Sequence, residues 1–250
     1  MLQKTGKQIL FFSKLIIFFF FIGGLYYLKN NDEFWFNLGF VLEKNTISGV
    51  AYSDELEISR KLHSSKGKII FKLNLSNIKS AIESIDWVKY AEIRRILPNT
   101  INVKIEEQVP IAIWKNENIF FLIDVDGLNI TSKNISGFNY LPQIEGINAN
   151  IHCSELLLKL QSIPDIFSNL HKAIYIQDRR WNIELKNNLL IKLPEDKKDR
   201  DSALERLQKF IHEKSLLDKE WMVVDLRFSG KIILKSRSSQ EKETESSSDI

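Results

Sequence analysis

The longest apolar run of the chain lies near its beginning, where Ile9–Leu28 reads ILFFSKLIIFFFFIGGLYYL. Twenty residues of α-helix span about 30 Å, the thickness of the hydrocarbon core of a bilayer. Lys14 lies one turn inside the run, where its long side chain can reach the headgroups. The pattern predicts a transmembrane helix at residues 9–28. A cleaved signal peptide is the alternative, although the exit sequence GLYYLKNND contains no clean small-residue cleavage site.

Basic residues precede this run, because Lys4 and Lys7 lie before it and the first acidic residue is Asp32. Positive charge marks the cytoplasmic side of a membrane span. We therefore predict a cytoplasmic N-terminus at residues 1–8 and an exported remainder, which is the type II, single-pass topology.

Residues 34–107 carry a pattern that predicts a small domain in the order β-α-α-β-β. First-turn acids after a capping residue indicate the first helix, and apolar residues at i, i+3, i+4 and i+7 indicate the second, which Asn74 or Ser76 can cap. The last strand alternates apolar and polar residues. The predicted elements are a strand at about Thr46–Gly49, a helix from Asp54 to about Leu62, a helix containing Ile78–Ile85, and strands at Trp87–Ile96 and Ile101–Glu106.

Residues 108–235 alternate between short apolar runs and turn-forming residues, which predicts a mixed β-sheet domain with flanking helices. Asp126-Gly127 is expected to form a type I′ hairpin turn. The predicted strands are Ile111–Trp114, Ile119–Asp124, Ala173–Gln177, Trp181–Leu185, Leu189–Leu193, Trp221–Phe228 and Lys231–Lys235, and the predicted helices are Ser154–Ile163 and Asp199–Glu213. Residues 236–250 are rich in Ser and Glu and are expected to be disordered. The fold class is α+β.

Composition narrows the possible functions. The chain has 250 residues and a net charge of only +3, so no overall basic field indicates a nucleic-acid partner. Its four histidines are scattered and Cys153 is its one cysteine, so neither a metal site nor a disulfide is expected. Catalytic and phosphate-binding motifs are also absent from the sequence, and we predict no enzymatic activity, no cofactor and no small-molecule substrate.

Several motifs of the exported part, taken in order, resemble the FtsQ/DivIB family of bacterial cell-division proteins. They are ISGV at Ile47–Val50, WV at Trp87–Val88, RRILPNT at Arg94–Thr100, EEQVPIAIW at Glu106–Trp114, LIDVDG at Leu122–Gly127, LPQIEG at Leu141–Gly146 and VDLRF at Val224–Phe228. The resemblance implies a POTRA domain at residues 34–107 and the family's β domain at residues 108–235.

The same resemblance implies a scaffold of the inner membrane at the division septum. Its expected partners are the coiled-coil division proteins FtsB and FtsL, together with other divisome proteins and the lipid around the span. In this family the POTRA domain is linked to recruitment and the end of the β domain to FtsB binding. Another POTRA-bearing protein, such as a periplasmic chaperone or export component, is the alternative class.

A partner-binding site is expected at the last two strands, where an unpaired sheet edge could accept a strand from another chain. Arg227 could clamp a partner carboxylate, and Phe228 could serve as an aromatic anchor. Through the resemblance, Arg179 and Arg180 offer further positive charge. The complete candidate set is Arg179, Arg180, Asp225, Leu226, Arg227, Phe228, Ser229, Gly230, Lys231, Ile232, Ile233 and Leu234.

The residue pattern of this site also permits a structural interpretation. Leu226 and Phe228 would then belong to the core, and Lys231 and Lys235 would keep the last strand from pairing with other chains. In the predicted strand, Met222, Val224, Leu226 and Phe228 share one face, and Trp221, Val223, Asp225 and Arg227 share the other.

Overall fold

A computed structural model describes residues 13–24, 26–27, 31–213 and 221–236. The chain divides into two compact units, Met1–Glu107 and Gln108–Ile250. The predicted tail lies outside the described residues from residue 237 onward, whereas Ser236 closes the last strand.

The described N-terminal segment is helical at residues 13–24 and 26–27, and its phenylalanines Phe18 to Phe21 are exposed. Among the described residues, no helix combines the length and the apolar content that crossing a bilayer requires. The predicted span Ile9–Leu28 lies partly outside the described residues, and the predicted cytoplasmic start at residues 1–8 lies wholly outside them.

The first unit contains the predicted β-α-α-β-β order, preceded by one short helix. Asp54 caps the first predicted helix by accepting the Leu56 N–H at 2.9 Å, and Asn74 rather than Ser76 caps the second. The described elements are α1 (Asp32–Asn37), β1 (Lys44–Ser48), α2 (Glu55–His63), a 3₁₀ helix (Ile70–Lys72), α3 (Leu75–Glu83), β2 (Val88–Ile96) and β3 (Thr100–Glu107).

Helix α1 was not predicted, because a six-residue helix is too short to show a 3.6-residue period.

The sheet of this unit has the order β1-β3-β2 in the described residues, with β1 parallel and β2 antiparallel to the central β3. Helices α2 and α3 pack on it, so that apolar residues of the helices and strands form one buried cluster. Burial of this cluster stabilises the unit through the hydrophobic effect. Its fully buried members include Ile58, Ile70, Ile82, Ala91, Ile101 and Val103.

The second unit is built on a sheet that has nine strands in the described part of the chain, in the order β12-β11-β10-β9-β8-β7-β4-β5-β6. Its strands are β4 (Ala112–Asn116), β5 (Ile119–Ile123), β6 (Asn129–Thr131), β7 (Gln143–Glu145), β8 (Leu170–Ile176), β9 (Arg180–Leu185), β10 (Leu190–Lys192), β11 (Trp221–Asp225) and β12 (Ile233–Ser236). Its helices are the 3₁₀ helix Ile135–Phe138, α4 (Ala149–Gln161), α5 (Pro164–Phe167) and α6 (Lys197–Glu213).

Helices α4, α5 and α6 contribute to a single apolar core with one face of this sheet. Helix α4 begins five residues before the predicted start, and its residues Cys153, Leu156, Leu157 and Leu160 are buried. On β9 and β10, the buried residues Trp181, Ile183, Leu185 and Ile191 belong to the same core. The neighbouring residues Asn182, Glu184 and Lys192 alternate with them and are only half-buried, so they occupy the opposite face of the sheet.

The hairpin between β5 and β6 confirms the turn at Asp126-Gly127 but not its predicted type. Gly127 has a φ of 76°, whereas Asp126 is not among the described residues with positive φ. The Gly127 N–H donates to the Asp124 carbonyl at 3.1 Å, so Val125 and Asp126 are the central residues. The Asp124 side chain also accepts the Asp126 and Leu128 N–H groups at 3.0 and 2.8 Å. These bonds fix a three-residue loop, and the type I′ prediction was wrong.

Candidate functional site

The last strand, β12, lies at an edge of the nine-stranded sheet. It pairs antiparallel with β11 on one side, with Val224 opposite Leu234 and Asp225 opposite Ile233. None of the described strands pairs with its other side. The backbone groups on that side therefore form an open edge, of the kind to which an extended segment of another chain can add.

The faces of β11 differ in part from the predicted alternation. Val224 and Leu226 are fully buried on the core face, as that alternation requires. Trp221 also packs against the core, because a β-bulge between Trp221 and Val223 shifts the pairing with β12 by one residue. A bulge of this kind reverses the direction of the side chains beyond it. The prediction that Trp221 shares a face with Asp225 was therefore wrong.

Asp225 and Arg227 form an ion pair with each other at the end of β11. The Arg227 Nε donates to the Asp225 Oδ1 at 2.9 Å, and its Nη2 donates to Oδ2 at 2.6 Å. The Arg227 backbone N–H adds a third bond to Oδ1 at 3.1 Å. The side-chain bonds from Arg227 hold the pKa of Asp225 below its ordinary value, and the same bonds raise the pKa of Arg227. This guanidinium, predicted to clamp a partner's carboxylate, thus already binds one of the chain's own.

The segment from Phe228 to Lys231 makes a tight turn between the two strands. The Lys231 N–H donates to the Phe228 carbonyl at 3.2 Å, and Gly230 has a φ of 72°, a conformation that favours glycine. The Phe228 side chain is 51% exposed, and Ser229 is exposed beside it. The turn therefore presents an aromatic ring to solvent next to the open edge.

The remaining candidates of this region differ in what they expose. Ile232 and Leu234 pack against the core, whereas Ile233 is 46% exposed. Leu226 is fully buried, and its N–H donates to the Lys192 carbonyl at 2.9 Å. Leu226 therefore has no side-chain surface for a partner.

The structure places Arg179 and Arg180 at the same end of the sheet as Arg227. In one cross-strand row, Asn182 lies opposite Lys192 and Lys192 opposite Asp225. Because neighbouring strands are about 4.8 Å apart, β9 and β11 are separated by about 10 Å. Arg180 lies two residues before Asn182, and Arg227 lies two residues after Asp225.

The side chains at this end of the sheet, which we call the corner, have hydrogen-bond or ion-pair partners for only some of their polar atoms. Arg179 Nη1 lies 3.6 Å from a Glu195 carboxylate oxygen, and both side chains are about half exposed. In the described part of the chain, Arg180 Nε and Asn182 Oδ1 are buried without a hydrogen-bond partner. A buried polar atom without a partner costs free energy that a bound ligand can recover.

Lys192 belongs to this corner, although the sequence analysis did not select it. It lies opposite Asp225, and its charge helps to lower the pKa of that carboxyl. The sequence could have indicated this position, because Lys192 is the one charged residue within the predicted strand Leu189–Leu193.

The described residues contain no group of three His, Cys, Asp or Glu side chains that could hold a metal ion. Cys153 is fully buried in the core of the second unit, and this burial raises the pKa of its thiol to about 12. A thiol with such a pKa is almost wholly protonated at neutral pH and is a poor nucleophile.

Comparisons with known proteins match both units. Residues 41–108 match the model of the POTRA domain, FtsQ-type, and residues 112–227 match that of the cell division protein FtsQ/DivIB, C-terminal. The chain belongs to the FtsQ/DivIB family of cell division proteins. The family assignment made from the sequence motifs is thereby confirmed.

Named relatives show how far this similarity extends. The chain is 39% identical to cell division protein FtsQ of Rickettsia prowazekii over 194 residues, which cover 78% of this chain and 72% of that protein. It is 27% identical to FtsQ of Caulobacter vibrioides over 206 residues, which cover 82% and 68% of the two chains. This chain is therefore a cell division protein with a POTRA domain, and its family is one of cell division scaffold proteins.

Proposed function

We propose that this protein is a non-enzymatic divisome scaffold that joins FtsB and FtsL, and that FtsB adds a strand to the open edge of β12. The observation that carries the proposal is the position of β12 at the end of the sheet, with no described strand on its outer side. Main-chain hydrogen bonds to this edge would supply affinity, and the side chains around it would supply selectivity.

The side chains around the β11–β12 turn offer a partner two kinds of selective contact, one aromatic and one electrostatic. Phe228 offers an exposed aromatic ring, the type of residue that most often dominates an interface. Arg179, Arg180, Lys192 and Arg227 give the corner an excess of positive charge, which favours an acidic partner segment. Arg227 binds Asp225 through Nε and Nη2, so the two N–H groups of its Nη1 could bind a second carboxylate without releasing the first.

The proposed arrangement in the cell follows the predicted sequence segments. Residues 1–8 would lie in the cytoplasm, and residues 9–28 would cross the inner membrane. On the far side of the membrane, residues 34–107 would form the POTRA domain that serves in recruitment. Residues 108–235 would form the β domain that binds FtsB, and residues 236–250 would form a tail.

The substitution Phe228→Ala tests the binding edge directly. It should weaken binding of the FtsB ectodomain at least tenfold, which corresponds to about 1.4 kcal/mol, because it removes an exposed anchor. Isothermal titration calorimetry with the full chain in detergent measures the affinity. Hydrogen exchange at β12 should slow when FtsB binds, since its open backbone groups would become paired.

The matched control is Leu128→Ala, which truncates a 60% exposed apolar residue beside β6, at the opposite edge of the same sheet. This variant should bind FtsB as the unsubstituted protein does. Equal affinities for the Phe228→Ala and Leu128→Ala variants, with both folded, would contradict the assignment of the β12 edge.

A further inference from the structure

The end of the first unit from which the chain leads back to the predicted span is apolar and aromatic. Its exposed side chains come from α1 and the residue that follows it, from the 3₁₀ helix, and from the last residue of β2 with the turn that follows. They are at least 37% exposed and comprise Phe34, Phe36, Leu38, Phe71, Ile96 and Leu97, which we call the apolar end.

This apolar end is held in place by packing of aromatic rings. The Trp35 ring lies 5.0 Å from that of Phe71 and 5.4 Å from that of Phe40, with steep interplanar angles in both pairs. The Phe40 carbonyl accepts the N–H of Ile70, a fully buried core residue, at 2.9 Å. Because Ile70 points into the core, its neighbour Phe71 is directed outward.

Arg95 joins the end of β2 to the same region. Its Nε donates to the Ile70 carbonyl at 2.8 Å, and its Nη2 donates to the Leu73 carbonyl at 2.6 Å. These bonds tie the strand that leads to Ile96 and Leu97 to the 3₁₀ helix that carries Phe71. The end of β2 and the 3₁₀ helix are therefore held together at this end of the unit.

The length of the chain brings this surface close to the predicted span. Five residues lie between Leu28 and Phe34, and the six Cα–Cα steps from one to the other reach roughly 20 Å at most. The headgroup layers of a bilayer extend about 5 to 8 Å beyond its hydrocarbon core on each side. Aromatic side chains are enriched in those layers, where one part of the ring is apolar and its surroundings are wet.

Charged side chains surround the apolar end in a way that suits the membrane surface. A shallow groove of about 450 Å³ beside α1 is lined by Phe36, Ile69, Lys68 and Lys72, together with the acids Asp32 and Glu33. Lys72 pairs with Asp32, and Lys68 is exposed. Lysines with apolar stems beside exposed rings can reach lipid phosphates while the rings enter the headgroup layer.

We propose that the apolar end of the POTRA domain docks on the headgroup layer of the membrane, with Phe36 and Phe71 inserted among the lipids. This inference rests on the proposed membrane span, because the span supplies the tether. Docking would fix the orientation of the first unit relative to the bilayer, which a span followed by a free linker would not do.

Fluorescence quenching by lipid-borne nitroxides tests the docking in the full chain. The variants Phe36→Cys and Phe71→Cys are labelled with a bimane and reconstituted in vesicles of phosphatidylethanolamine and phosphatidylglycerol with headgroup-region nitroxides. The native Cys153 should remain unlabelled because it is buried. The labels at positions 36 and 71 should be quenched at least threefold more than a label introduced by Leu56→Cys, a 73% exposed position on α2.

A label introduced by Phe20→Cys, near the middle of the predicted span, separates two ways of failing when its quenching is measured with nitroxides on the lipid acyl chains. If the labels at positions 20 and 56 differ but those at positions 36 and 56 do not, docking is refuted while the span stands. If the label at position 20 is also unquenched, both the span and the docking are refuted.

A third result would assign the apolar end to a protein partner. In that case the labels at positions 36 and 71 would be unquenched by lipid nitroxides, yet protected from aqueous iodide once FtsB and FtsL are added. The label at Leu97→Cys repeats the measurement at a 52% exposed position in a different element, in case Phe36→Cys disturbs α1.

Discussion

One carboxylate of the first unit organises a loop that lies far from it in sequence. Glu107, the last residue of β3, accepts the backbone N–H groups of Ala51 and Tyr52 at 3.0 Å and that of Ser53 at 2.7 Å. Partial burial pushes the pKa of Glu107 upward, but the hydrogen bonds from these residues outweigh it and hold the pKa below its ordinary value of 4.5. The charged carboxylate therefore stabilises the native loop.

The substitution Glu107→Gln should lower the free energy of unfolding by about 1 kcal/mol at pH 7, because hydrogen bonds to a charged acceptor are stronger than those to an amide. Because the folded pKa is depressed, the contribution of Glu107 is complete above about pH 4.5 and is lost as the pH falls through the folded value. Urea unfolding at pH 7 and pH 3.5 should therefore show a smaller difference between variant and unsubstituted protein at the lower pH.

Glu106→Gln is the control for this measurement. The Glu106 side chain is 67% exposed, and its ion pair with Lys89 is 4.0 Å long. Its replacement should leave the unfolding free energy nearly unchanged at both pH values. Equal losses of unfolding free energy for the Glu107→Gln and Glu106→Gln variants would show that the backbone hydrogen bonds to Glu107 add nothing to stability.

At the scale of elements, the close approach of one backbone segment to another determines which residue can follow β1. Gly49 follows β1 with a φ of 84°, and a Cβ at this position would lie 2.1 Å from the Ile105 carbonyl oxygen on β3. No side chain fits there without displacing the central strand of the three-stranded sheet. The ISGV motif therefore contains a residue that the packing of β1 on β3 requires.

Gly49→Ala should destabilise the first unit by about 3 kcal/mol or more, since it combines an unfavourable φ with a backbone clash. Gly39→Ala is the matched control, because Gly39 has a φ of 77° but nothing within 4 Å of an added Cβ. That variant should lose only about 1 kcal/mol, from the φ term alone. Thermal unfolding followed by circular dichroism compares the two, and equal shifts in Tm would refute the steric argument.

At the scale of the whole molecule, the described residues form two separate hydrophobic cores. Ile82 is fully buried in the cluster of the first unit, and Leu207 is fully buried in that of the second. The candidate FtsB edge lies wholly in the second unit. Damage to the core of the first unit should therefore leave FtsB binding intact, whereas damage to the core of the second unit should weaken it.

Ile82→Ala should destabilise the first unit by about 2–5 kcal/mol, since it leaves a cavity in a closely packed core. FtsB affinity, measured at a temperature where the second unit remains folded, should stay within twofold of that of the unsubstituted protein. Leu207→Ala should produce a similar loss of stability but weaken FtsB binding as well. If the Ile82→Ala variant lost FtsB binding to the same extent, the two units would have to be treated as one cooperative body.

The sequence by itself determined the β-α-α-β-β order of the first unit and the family, but it did not predict the short elements α1, β6, β7 and α5. Apolar periods marked α3 and α6, because helices that pack on a sheet must bury one face, whereas a cap and first-turn acids marked α2. Ordered motifs such as VDLRF identified the FtsQ/DivIB family. Local chemistry narrowed the caps to Ser53-Asp54-Glu55 and to Asn74 or Ser76, and the structure selects Asp54 and Asn74.

Only the tertiary structure decided which edge of the sheet is open, which partner Arg227 binds and where the apolar end lies. Strand order depends on contacts between distant segments. The local pattern of apolar residues therefore could not show that β12 lies at the end of the sheet rather than between two other strands. The bulge at Trp221 reversed a side chain that strict alternation assigns to the other face. Arg227 pairs with Asp225 at the end of β11, and Phe71 is exposed beside Ile70, which is fully buried in the core.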